Sequence, residues 1–119
     1  VKLLIQQAAE HDILSQIEWY ASQGAPGTAS RFSSAVMQAI EALVRMPNAG
    51  APKATANPQL AGLRTWPVKG FEEQRIYYLV TDALLTILRI LHGKRNTQAI
   101  LAEAFAEAPV MLEPEKPFS

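Results

Sequence analysis

The sequence predicts an α+β domain in which an antiparallel hairpin of two helices packs on an antiparallel sheet. Three observations carry this. As far as Met46, apolar residues recur every three or four positions, in two runs parted by a Gly-Ala-Pro-Gly turn. From Leu63 onward the period falls to two, and the residue types shift to aromatic and β-branched. A stretch with three prolines and a glycine, residues 47–60, divides the two regimes. With 119 residues, the chain suits one hydrophobic core.

Residues 1–5 form a short apolar run, read as a strand. Over residues 7–23 the residues Ala9, Ile13, Ile17, Tyr20 and Ala21 share one helical face, and Gly24 closes the helix. Thr28 stands where a side-chain oxygen would cap the second helix. That helix carries Ala29, Phe32, Val36, Ala39, Ile40 and Leu43 on one face and stops at Pro47, which has no N–H to continue it. The two helices are expected to pack on the sheet through Ile13, Ile17, Phe32, Val36, Ile40 and Leu43. Residues 47–60 read as a connecting loop, long for a compact domain. Residues 63–68 then alternate as a strand that Lys69-Gly70 ends. Residues 74–81 (QRIYYLVT) and 84–92 (LLTILRILH), joined at Asp82-Ala83, make a hairpin, so that the sheet contains a three-strand meander. Asn96 or Thr97 caps a short final helix running to about Ala106. The domain is thus expected over residues 1–106, with an acidic, proline-containing tail over 107–119 that has no stable structure by itself.

Composition excludes several functions. There is no cysteine, which rules out disulfides and thiolate metal sites, and two histidines, His11 and His92, make a histidine metal centre improbable. Neither a metal nor a cofactor is expected. No apolar run approaches the roughly 20 residues of a membrane span, so the chain is read as soluble and cytoplasmic. The formal net charge is zero, which argues against a protein that mainly coats nucleic acid. The distribution is uneven, however. Residues 61–100 hold six bases (Arg64, Lys69, Arg75, Arg89, Lys94, Arg95) against three acids, and residues 101–119 hold one base against four acids.

Within the strands, period two puts Arg89 on the side of Leu85, Ile87 and Leu91, and a charge on an apolar face needs a partner. Asp12 or Glu18 of the first helix is the expected carboxylate. Tyr77 and Tyr78 face opposite sides, with one expected in the core and the other exposed. Trp19 and Trp66 are read as packing residues.

Six strings in this order resemble the ParE/RelE toxin family. They are AAEHDILSQIEWYA at 8–21, ASRF at 29–32, ALVRMPNAG at 42–50, LRTWPV at 63–68, RIYYLV at 75–80 and ILRILHGKRN at 87–96. The resemblance ends near Ala106. It implies the toxin of a type II toxin–antitoxin pair, neutralised by a cognate antitoxin that is ParD-like or similar. In this family ParE-like members poison DNA gyrase, and RelE-like members cut messenger RNA on the ribosome. RNA cleavage through the 2′-OH needs a proton acceptor, cations on the phosphate and an acid for the leaving group. Arg64, Arg75, Arg89 and His92 are the residues of suitable type for that role. RelE-like nucleases often add a tyrosine near the C-terminus, whereas the last tyrosine here is Tyr78. The HGKR string from His92 resembles the ParE-like branch, which implies a gyrase inhibitor touching its target through Arg64, Arg89, His92, Lys94 and Arg95. On that reading nucleic acid is met only through the target or the antitoxin. The alternatives are a ribosome-dependent endoribonuclease and an inactive antitoxin-binding module.

Overall fold

A computed structural model describes residues 1–93, 100 and 101 of the chain. The order is β1 (Lys2–Ile5), α1 (Gln7–Ser22), α2 (Pro26–Arg45), β2 (Ala51–Pro52), a 3₁₀ turn (Pro58–Leu60), β3 (Arg64–Val68), β4 (Phe71–Thr81) and β5 (Leu84–His92). The strands form one sheet in the order β1-β5-β4-β3-β2. The predicted meander is its centre. β1 joins β5 in parallel, pairing Lys2 with Leu84 and Ile5 with Ile87, so the sheet is mixed rather than wholly antiparallel.

α1 ends as its glycine suggests. Gly24 takes φ +75, a region open to a residue without Cβ, and the Ala25 N–H turns back to the Tyr20 carbonyl at 3.0 Å. α2 starts earlier than predicted. Pro26 opens it, since proline lacks the N–H that a first turn would leave unpaired, and Thr28 lies inside the helix as acceptor for Arg31 Nη2 at 3.0 Å. The segment 47–60 is also more ordered than a plain loop. It contains β2 and the 3₁₀ turn, capped by Asn57 Oδ1, which accepts the Gln59 N–H at 2.9 Å. β4 reaches back to Phe71, three positions before the predicted start, and Asp82 adopts φ 50 at the β4–β5 turn, where aspartate is among the tolerated residues.

The hairpin covers one face of the sheet. Phe32, Val36, Ala39, Ile40 and Leu43 are buried there against Ile76, Tyr78, Leu85, Ile87 and Ile90, with Ile13, Ile17, Tyr20 and Trp66 half-buried at the margin. Tyr20, Phe32 and Phe71 form a ring cluster with centroids 5.3–5.8 Å apart, a favourable spacing for tilted and edge-on aromatic pairs. Ala21, placed on the inner face by its spacing, is exposed at the helix end.

The other face is also dry. Leu60, Leu63, Tyr77, Leu79, Leu88, Leu91 and Leu101 are buried together, with Leu60 arriving from the 3₁₀ turn. Tyr77 and Tyr78 therefore do point to opposite sides, yet both are buried, because both sides are covered. Residues 100 and 101 are helical, as expected of the final helix; the rest of that helix and the 107–119 tail lie outside the described residues.

A bulge changes the pattern of β5. Tyr77 pairs with Arg89 and Tyr78 with Ile87, which leaves Leu88 without a counterpart. The extra residue shifts the alternation. Ile90, rather than Leu91, joins Leu85 and Ile87 on the helix side, and Leu91 joins Leu88 on the other.

Candidate functional site

Each polar candidate on the sheet meets a protein partner. Past the end of β1, the edge of β5 is open, and α1 crosses it. Asp12 accepts two hydrogen bonds from Arg89, both at 2.7 Å, and a third from the Ile90 N–H at 3.0 Å. The pair is largely buried, with side-chain exposures of 18% for Arg89 and 11% for Asp12. A two-pronged guanidinium–carboxylate contact fixes orientation as well as distance. Asp12, not Glu18, is thus the partner that Arg89 required, and together they bind helix to strand.

At the far side of the sheet, Arg64 and Tyr78 hold the segment that follows α2. Arg64 Nη1 donates to the Asn48 carbonyl at 3.1 Å and to the Gly50 carbonyl at 2.6 Å. The Tyr78 hydroxyl donates to the Pro47 carbonyl at 2.8 Å and accepts the Gly50 N–H at 2.9 Å. Gly50 is obligatory here, because a Cβ would overlap the Tyr78 hydroxyl and come within 2.9 Å of the Thr65 carbonyl. Burial raises the Tyr78 pKa above its ordinary value near 10.0, against the opposing pull of the Gly50 N–H and the Arg64 charge.

Arg75 pairs opposite Pro67 and Leu91, and its Nε donates to Thr65 Oγ1 at 3.0 Å. His92 sits opposite Gln74, one step along the strands and therefore on the opposite face from Arg75. His92 Nε2 lies 3.2 Å from Glu73 Oε1. Glu73 and His92 border a groove of about 770 Å³ that runs between α1 and the ends of β4 and β5, with Ile90 and Leu91 also among its lining residues. Trp19 forms part of its α1 wall and is 54% exposed, so this tryptophan is not the packing residue the sequence suggests. Trp66 does pack against the core.

The four residues suited to RNA cleavage are thus not assembled into one centre. Arg64 faces the 47–50 segment, Arg89 faces α1, and Arg75 and His92 lie on opposite faces of the sheet. Lys94 and Arg95 lie outside the described residues. Among the described residues no group of histidines and carboxylates is arranged to hold a metal ion, and no helix is long and apolar enough to cross a membrane.

Comparison with known families places the matching region on this whole frame. Residues 3–97 match the family described as the ParE toxin of the type II toxin–antitoxin system parDE. The chain belongs to the ParE toxin family. A solved structure titled as the chromosomal ParDE TA system from P. aeruginosa shares the fold, with a TM-score of 0.64 and 21% sequence identity. That alignment covers 77% of this chain and 95% of the other. No match is found among curated proteins. Within the ParE frame, Trp19, Glu73 and the Tyr78–Gly50 lock escape a reading by residue type. One signal for Trp19 is present in the sequence: at about 100° per residue it falls roughly 120° from the centre of the face that Ala9, Ile13, Ile17 and Tyr20 share.

Proposed function

We propose that this ParE family member is a toxin that inhibits DNA gyrase by protein contact, without chemistry of its own, and that a cognate antitoxin holds it in check in the cytoplasm. The observation that carries this reading is the dispersal of the cationic side chains. Arg64, Arg75 and Arg89 are each tied to a partner within the fold, and the cations and the imidazole do not converge as phosphate clamp and proton acceptor must. On this proposal Arg64 and Arg89 support the surface, while His92, Lys94 and Arg95 make the target contact.

Two assays run side by side test the reading. Purified toxin should inhibit supercoiling by gyrase, and primer extension on ribosome-bound messenger RNA should find no new ends. Charge reversal at Lys94 and Arg95 should abolish the inhibition. RNA cleavage with normal supercoiling would overturn the proposal; in that case His92→Gln should reduce cleavage by about 10²–10⁴-fold, as loss of a general acid or base does. Expression of the toxin alone should arrest growth, and co-expression with the antitoxin should restore it. Unimpaired growth at high soluble yield would point to an inactive antitoxin-binding module.

A further inference from the structure

Several polar side chains of the groove bordered by Trp19 and Glu73 are not used by the fold's own hydrogen bonding. Asp12, the most buried acid along it, is already satisfied by Arg89 and the Ile90 N–H. Glu73 is different. Its side chain is 76% exposed, one oxygen lies against His92, and among the described residues the other oxygen has no partner. Across the groove stands the exposed Trp19 ring, held edge-on to Tyr20 with centroids 5.3 Å apart. Half-buried Gln16, Gln74 and Tyr20 also line the groove, and no hydrogen bond joins their side-chain polar groups to another described residue.

From this arrangement we infer that the groove binds an extended segment of a partner polypeptide and seats one of its arginine side chains between the Trp19 ring and the Glu73 carboxylate. The chemistry of each wall selects that occupant. An indole face attracts a guanidinium and stacks with its plane, and a carboxylate with a spare oxygen accepts its N–H groups. The amides of Gln16 and Gln74 each offer both a donor and an acceptor, which suits main-chain N–H and C=O groups of an extended chain. Ile90, buried on the helix side, closes the groove beneath it. A nucleic-acid strand would bring phosphates toward Glu73 and is disfavoured by the same charge.

The test uses the full chain and two short capped peptides of glycine and serine, one with a central arginine and its twin with glutamine there. Nuclear magnetic resonance follows the Trp19 indole N–H signal during titration. The arginine peptide should shift that signal saturably and bind roughly two- to fivefold more tightly than its twin, the range expected of an exposed ion pair or cation–π contact. Glu73→Gln should reduce the preference without changing the twin's affinity, and Trp19→Ala, followed through the backbone amide signals of residues 73 and 74, should weaken the arginine peptide by a similar factor. Both positions are exposed, so both variants should fold. Equal binding of the two peptides, an unchanged preference in Glu73→Gln, or no saturable shift would overturn the inference. The titration involves neither gyrase nor growth, so its outcome is independent of the toxin assays.

Discussion

The two faces of the sheet are buried to a similar degree but by different means. On the helix side, the hairpin delivers Phe32, Val36, Ile40 and Leu43 in register with the strands, and directional bonds from Asp12, Arg64 and Tyr78 fix the edges. On the other side, Leu60 from a three-residue turn and Leu101 close over Tyr77, Leu79, Leu88 and Leu91. Among the described residues, the first face is covered by long regular elements and the second by the turn at Leu60 and by Leu101. The burial of a strand residue therefore depends on what comes to rest upon it, and strand alternation alone does not reveal that.

Substitutions test how alike the faces are. Phe32→Ala, on the helix side, should cost about 3–5 kcal/mol in a urea melt, as truncation of a buried phenylalanine does. A loss below about 1 kcal/mol would show that the hairpin does not anchor that face. Leu88→Ala on the other face should cost about 2–5 kcal/mol, since Leu88 is fully buried there too, and a near-neutral result would mark that side as loosely held. Next comes Tyr78→Phe, which strands the Gly50 N–H and the Pro47 carbonyl and should cost about 1–3 kcal/mol. This variant also has a pH signature. The folded Tyr78 pKa is raised by burial, so its contribution is fully present below the unfolded value near 10.0 and is lost as pH climbs through the folded pKa. Stability should fall above about pH 10 in the parent and fall less steeply in Tyr78→Phe. Trp19→Ala, outside both faces, should change stability by less than about 0.5 kcal/mol.

Sequence patterning made the helix side legible. Apolar spacing located α1 and α2, the Gly24 and Pro47 boundaries held, and a charged residue in an apolar strand demanded the carboxylate found at Asp12. The second face was less legible for physical reasons. The bulge at Leu88 depends on pairing with β4, which no local residue type announces, so alternation alone puts Leu91 on the wrong side. Alternation leads one to expect either Tyr77 or Tyr78 at the surface, and Tyr77 is buried instead because its cover comes from segments remote in sequence, Leu60 and Leu101. The candidate site was legible in residue type but not in geometry. Residue type points to Arg64, Arg75, Arg89 and His92, but only three-dimensional pairing shows that they serve different parts of the frame. Glu73 is inconspicuous in the sequence, because an exposed acid on a strand is ordinary unless the fold brings an indole to the same groove.

The pairing of β1 with β5 has a kinetic consequence. Its partners, Lys2 with Leu84 through Ile5 with Ile87, lie some eighty residues apart in sequence, whereas β3, β4 and β5 are joined by tight turns. Hairpins of local strands form in about 1–10 μs, but a distant contact must first overcome the entropy of closing a long loop. β1 therefore docks after the meander has formed, and a nascent chain has no β5 to receive it until residue 87 has left the ribosome. From the emergence of β5 until β1 docks, the open edge of β5 is a site at which a strand of another chain can compete, so mispairing is favoured in that interval.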